Sequence, residues 1–382
     1  MPAAAVEPDD DPYAPRRNPD LSGHAAAEQV LLDSWKSGRL HHGWLITGQP
    51  GIGKATLAYR FARFVLAQGT PGAADAADQG GLFGAPEPAP LPTSLQLDPG
   101  HPVFRRVAAQ GHADLLSVER PLDAKKGRLK KDLPVDEVRK IAPFLRLTPA
   151  EGGWRVVVVD GADLMNPSGQ NALLKILEEP PKAALLLLVA DNPGSLLPTL
   201  RSRVRKLPLD PLPEATVAEL LTRYRPDLAG AEKLALTRLA EGSVGRAIDL
   251  AEAGGVDLYR ELLGLLETLP RLDLLATHKL GDKVGRAGAD TAWEAVTGLL
   301  SWWLARFAKS LALGRLAAEV VPGEEALAAR LAKGAQGGVG GLDRWVEVWD
   351  NVTRLFARAD SANLDRKQAF INALQMIEAA AA

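Results

Sequence analysis

Gly48-Gln49-Pro50-Gly51-Ile52-Gly53-Lys54 carries the glycine and lysine spacing of a phosphate-binding loop. In G-x-x-x-x-G-K-[ST] the glycines let backbone N–H groups converge on phosphate oxygens. The helix that follows adds the positive end of its dipole, and the lysine a point charge at the outer phosphates. Lys54 therefore predicts nucleotide binding; the plain alternative is a glycine-rich turn that opens a helix. The eighth position, where a hydroxyl ligates Mg²⁺, holds Ala55, and Thr56 follows one residue later. A one-residue shift on a helix turns a side chain by about 100°, so Thr56 does not replace the missing hydroxyl directly. Gly48, Gly51, Gly53, Lys54, Ala55 and Thr56 are thus candidate nucleotide-binding residues with weakened metal positioning.

A second acidic motif accompanies the loop. The apolar run Trp154–Val159 ends in Asp160, a carboxylate at the C-terminal edge of a strand, where parallel sheets bind ligands. Asp160 joins the candidate nucleotide-binding set. Gly161 stands where an acid that polarises water is commonly found, and Asp163 reads as a turn or cap residue or a displaced base. Loss of a positioned general base costs roughly 10²–10⁴ in rate, so hydrolysis by this chain is in doubt.

The elements that must carry these groups alternate. Trp44–Thr47 reads as a strand, 56–68 as a helix, Leu115–Val118 as a strand, and Leu185–Val189 as a strand buried on both faces. Asn166-Pro167 opens a helix that Pro180-Pro181 stops. A helix over 25–40 carries Val30, Leu31 and Trp35 on one side, and another begins near Pro134, with Pro143 ending or kinking it. This predicts an α/β P-loop domain, a parallel sheet with helices on both faces. After residue 210 no strand is convincing, and helices follow to the end. The tryptophans of Leu299–Leu304, with Trp345, Val348 and Trp349, read as core first and as interface second. Residues 1–20 read as a disordered tail, 69–100 as a flexible insertion, the basic stretch 125–131 as a solvated or phosphate-contacting loop, and 334–341 as a loop.

Two further motifs are specific. Asn171-Ala172-Leu173-Leu174-Lys175-Ile176-Leu177-Glu178-Glu179-Pro180-Pro181 closely resembles the NALLK-x-LEEPP helix of the clamp-loader branch of AAA+ proteins, and Ser202-Arg203-Val204 resembles its SRC motif. The resemblance covers residues of about 20–250 and extends beyond them only in length and helical character. It implies an AAA+ domain over 21–210, a helical lid over 211–254 and a helical collar over 255–382. It implies that Arg203 is an arginine finger reaching the γ-phosphate of ATP on a neighbouring subunit, a role suited to a permanently charged, forked guanidinium. It further implies other clamp-loader subunits in a hetero-pentamer, with the sliding clamp and primed DNA met through the complex in replication. Val204 replaces the cysteine of the SRC motif and packs similarly. Gly242-Ser243-Val244-Gly245-Arg246-Ala247 resembles the sensor 2 region, with glycine where motor subunits place arginine. Together these departures imply a mostly non-hydrolysing subunit; the alternative is an active motor ATPase.

The 382 residues include no cysteine, which excludes disulfides and the cysteine zinc module of such subunits, so no zinc is expected. A net charge of -2 does not advertise nucleic-acid binding. No carboxylate cluster for two-metal polymerase chemistry is evident. Neither a signal-peptide layout nor a membrane-spanning run is present, and a cytoplasmic location without membrane contact is expected.

Overall fold

The computed structural model describes residues 13–69, 91–123, 128–151, 153–316, 318–336 and 341–382. In chain order the elements are α1 (Ala25–Lys36), β1 (Gly43–Thr47), α2 (Lys54–Gln68), α3 (Pro102–Ala108), β2 (Leu115–Val118), β3 (Leu122–Asp123), β4 (Arg128–Leu129), α4 (Val135–Arg139), α5 (Ile141–Arg146), β5 (Arg155–Asp160), α6 (Pro167–Glu178), β6 (Ala184–Ala190), α7 (Pro198–Arg201) and β7 (Arg205–Pro208). Only helices follow among the described residues: α8 (Glu214–Tyr224), α9 (Gly230–Leu239), α10 (Val244–Glu252), α11 (Gly255–Glu267), α12 (Leu274–Gly285), α13 (Asp290–Leu313), α14 (Glu324–Gln336), α15 (Gly341–Ala362) and α16 (Arg366–Ala381). The chain divides into two compact units, Met1–Thr216 and Val217–Ala382.

In the first unit, five parallel strands lie in the order β2-β5-β6-β1-β7. β1 is internal, flanked by β6 and β7, so the chain leaving it crosses to the far edge and works back. The loop after β1 therefore opens at the point where the strand order reverses, which leaves a crevice there. β5 and β6 are buried on both faces because helices cover both. Val156, Val158, Leu185 and Leu187 pack with Leu31, Trp35, Phe61 and Phe64 on one side. Val157, Val159, Leu186 and Leu188 pack with Ile141, Leu145, Leu173 and Leu200 on the other. The period-two alternation of side chains along each strand feeds both cores. The expected parallel sheet with helices on both faces, followed by helices alone, is the observed fold.

Several expected details differ. α1 ends at Lys36, and Val30 lies 37% exposed while Leu31 and Trp35 are buried. The helix break expected at Pro143 falls at Lys140, and Pro143 sits in the first turn of α5, where its missing N–H has no intrahelical partner to lose. Residues 13–20 are packed, contrary to a loose tail reaching residue 20. Arg63 on α2 is buried and donates from Nη1 to Arg16 O at 3.0 Å and from Nη2 to Asn18 O at 2.8 Å. A buried guanidinium requires acceptors, and this segment's backbone supplies them. Leu129 of the basic stretch pairs with Leu122 in a short antiparallel ladder. Residues 1–12 of the tail, 70–90 of the insertion, 124–127 of the basic stretch and 337–340 of the last loop lie outside the described residues.

The second unit is built around aromatic contacts. Phe307 stacks on Trp303 with centroids 5.3 Å apart and meets Trp345 edge-on at 4.8 Å. Of the tryptophans weighed as core or interface, Trp302, Trp303 and Trp345 are buried, whereas Trp349 is 37% exposed.

Candidate functional site

The phosphate loop sits at the C-terminal end of β1 and runs directly into α2. Gly53 is the N-cap of that helix, with φ 105°, and Gly48 has φ 150°. A Cβ on Gly48 would lie 2.6 Å from Ile52 Cδ1 and 2.7 Å from the carbonyl oxygen of Leu209, so only glycine fits there. The segment before α1 closes over the loop. His24, itself buried, places Nε2 2.7 Å from Ile52 O, and Leu21 lies 3.3 Å from where a Cβ of Gly53 would stand.

Lys54 is buried at 4% exposure and is already engaged. Its Nζ donates to Gln49 O at 2.6 Å and pairs with Asp191 Oδ1 at 2.7 Å. Asp191 follows β6 as Asp160 ends β5 and Glu119 follows β2, so three carboxylates stand along the C-terminal edge of adjacent strands. Burial pushes the Asp160 carboxyl up to about 6, with Glu119 and Asp191 adding to the rise against Lys54 and Arg120. Burial also drives the Tyr59 hydroxyl well above its usual range, helped by Glu119, to which Tyr59 Oη donates a hydrogen bond. Among the described residues, no group of three or more His, Cys, Asp or Glu is placed to hold a metal ion. By shape the glycine loop fits a phosphate; by charge its one lysine is committed to Asp191, and Ala55 offers no hydroxyl. The candidates Gly48, Gly51, Gly53, Lys54, Ala55, Thr56 and Asp160 are thus gathered at one end of the sheet.

Asp163 is a structural acid. Its Oδ2 accepts from Asn192 N at 2.8 Å, tying the turn after β5 to the end of β6. This is the turn role read from sequence. Asp191, Glu119, Tyr59 and His24 were missed. The signal for the acids was present: each is the first acid after an apolar strand, the same pattern that singled out Asp160.

Arg203 stands at the opposite end. It precedes β7, and its carbonyl oxygen lies 3.9 Å from where a Cβ of Gly43, the first residue of β1, would be. The length of β1 separates this point from the phosphate loop by about 15 Å, beyond side-chain reach. Its Nη1 donates to Thr199 O at 2.8 Å, its Nη2 pairs with Glu178 Oε1 at 2.7 Å, and 34% of the side chain is exposed.

Buried Gln170, in the first turn of α6, ties together the segments that follow β5 and β6. Its Nε2 donates to Met165 O at 3.0 Å and Ser195 O at 3.3 Å, and its Oε1 accepts from Leu197 N at 2.7 Å. These bonds stitch α6 to the segment that starts α7. Asn166 caps α6 by accepting from Gly169 N at 2.8 Å, as its sequence position predicts. In the second unit Ser243 caps α10, and Arg246 lies 3.9 Å from Glu241.

Residues 100–213 match the family model described as DNA polymerase III, delta subunit. The chain is 33% identical over 222 residues to DNA polymerase III subunit delta' of Escherichia coli, covering 58% of each chain. It is 35% identical over 218 residues to the delta' subunit of Pseudomonas aeruginosa, covering 56% of this chain and 58% of that one. Similarity to DNA polymerase III subunit gamma/tau of Mycobacterium tuberculosis is 29% over 212 residues, 55% of this chain and 32% of that protein. The aligned region thus spans under two thirds of the delta' relatives' length. A solved structure of a DNA polymerase III gamma subunit-related protein from Thermotoga maritima is 20% identical, covering 92% of this chain and 100% of that one at a TM-score of 0.40. The resemblance read from the 171–181 helix and Ser202-Arg203 is borne out, and both motifs lie inside the matched 100–213 segment.

Proposed function

We propose that this chain is a delta-prime-type clamp-loader subunit of a DNA polymerase III replicase. It hydrolyses little or no ATP itself and supplies Arg203 in trans to ATP on a neighbouring subunit. In this reading it joins other loader subunits in a hetero-pentamer that places the sliding clamp on primed DNA, with the helices of the second unit serving as lid and collar. The observation that carries the reading is the opposition of the two basic residues across the sheet. Lys54 is buried at one edge and neutralised by Asp191, while Arg203 is partly exposed at the other edge, too far to serve its own phosphate loop.

The chemistry follows from that opposition. ATP, when bound by a neighbour, supplies a γ-phosphoryl group whose charge spreads over its oxygens as it is transferred. A rigid guanidinium, permanently charged, stabilises that charge without moving a proton. Within this chain, Ala55 in place of the metal-positioning hydroxyl, Gly161 in place of the usual water-polarising acid and the turn hydrogen bond of Asp163 support weak or absent hydrolysis.

The test is an ATPase assay on the purified chain and on the loader reconstituted with its cognate subunits. The isolated chain is expected to turn over no ATP above background. Turnover by the isolated chain that Lys54→Ala abolishes would instead establish the motor-subunit alternative.

A further inference from the structure

Glu178 is the last residue of α6, at the end of the helix where the backbone carbonyls carry partial negative charge. A carboxylate there is disfavoured unless a cation stands beside it. Among the described residues, that cation is Arg203, whose Nη2 lies 2.7 Å from Glu178 Oε1. The same guanidinium donates from Nη1 to Thr199 O, in the last turn of α7. Arg203 therefore rests between the carbonyl ends of two helices, and Glu178 is its ion-pair partner there.

The segments that carry the pair are anchored by contacts outside it. Gln170 binds α6 to Leu197 and Ser195. His42 places Nε2 3.1 Å from Leu177 O, anchoring the end of α6 to the approach to β1. Leu177 and Val204 flank Gly43, lying 3.0 and 3.2 Å from where its Cβ would be. The two side chains are thus held opposite each other by elements that do not need the ion pair to stay in place. What remains free to change is the partner of the guanidinium.

We infer that Glu178 is a resting counter-ion for Arg203, competing with the phosphate of a neighbouring subunit's ATP and so weighting the disengaged state of the finger. This rests on the reading of Arg203 as a finger in trans. When a polyphosphate takes the guanidinium, Glu178 loses its partner and stands near a like charge. When phosphate leaves, the guanidinium returns to Glu178. The pair therefore raises the nucleotide concentration at which the interface engages. The pair is partly exposed, with 34% of the Arg203 side chain and 46% of the Glu178 side chain accessible, so its weight is modest.

The experiment is a double-mutant cycle in the loader reconstituted from its cognate subunits, with the apparent KM for ATP as readout. Glu178→Gln removes the charge and keeps the shape; Glu178→Ala serves as a second variant. Either is expected to lower the apparent KM by about 2–5-fold in the presence of Arg203 and to leave it unchanged in an Arg203→Ala background. Thermal melting of the chain should not move with the effect, which separates competition from a structural role. An unchanged or raised KM in the Glu178 variants, with Arg203→Ala still crippling the ATPase, overturns the counter-ion role while leaving the finger intact. If Arg203→Ala leaves the ATPase unchanged, the finger reading itself falls, and this inference with it.

Discussion

The two edges of one parallel sheet carry a basic residue each, and the environments of those residues are opposite. At the C-terminal edge Lys54 is buried at 4% exposure and has two partners from its own chain, a backbone carbonyl and Asp191. At the N-terminal edge Arg203 is partly exposed and shares its fork between a carbonyl and an accessible carboxylate. A cation neutralised inside its own fold has little left for a ligand. A cation at the surface beside an exchangeable partner is available to a second molecule. The phosphate-loop motif by itself reports neither of these environments.

The largest test of the contrast is functional. Arg203→Ala in the reconstituted loader is expected to lower steady-state ATPase by roughly 10³-fold, the scale of a lost arginine finger. Lys54→Ala is expected to change the same rate less than about twofold, against the roughly 10³-fold finger effect. Comparable losses from the two variants would erase the asymmetry.

The next test compares glycines at the two ends of β1. Gly48→Ala sets a Cβ against backbone oxygen at φ 150° and is expected to cost about 2–4 kcal/mol in urea unfolding. Gly43→Ala has its tight contacts with side-chain carbons at 3.0 and 3.2 Å, which can shift, and should cost about 1 kcal/mol. Gln170→Leu probes the join between α6 and the segment that starts α7. It leaves Leu197 N–H without its buried acceptor and should cost about 2–3 kcal/mol, read from the unfolding midpoint.

A further effect lies in Asp160 and depends on pH. Its carboxyl is raised to about 6 in the folded chain against an ordinary value of 3.8, so ionisation is harder when folded. The folded state then holds a proton that the unfolded state has released, and stability falls as pH rises from about 4 through about 6. Asp160→Asn removes that loss. A gain of about 1–2 kcal/mol is expected at pH 8 and none at pH 4, measured by denaturation across the range. A pH-independent difference would mean that the carboxyl is not strained by its surroundings.

Much of the frame was legible because its determinants are local. Unbroken apolar runs at Arg155–Asp160 and Ala184–Ala190 can be satisfied only by burial on two faces. Asn166-Pro167 and Pro180-Pro181 bracket α6 by capping and by missing donors. The phosphate loop, Asp160 and the Ser202-Arg203 pair were named from spacing and from motif. The helix of Ala25–Lys36 was placed with Val30 on the wrong side, because an apolar residue next to two buried ones does not report its own angle about the axis. The packing of residues 13–20 was invisible for a different reason: acceptors for Arg63 are backbone carbonyls, which have no sequence signature.

The sequence by itself determined the parallel sheet, the loop after its first strand and the motifs that single out Lys54 and Arg203, since periodicity, caps and glycine spacing are properties of neighbouring residues. Only the tertiary structure decided what those basic residues face. Lys54 meets Asp191 across 137 positions of chain because β1 and β6 are adjacent in the sheet, and Arg203 meets Glu178 because the end of α6 and the approach to β7 pack together beside Gly43 at the start of β1. Partnership between charges is set by distance in space, and strand order, which no local pattern encodes, sets that distance.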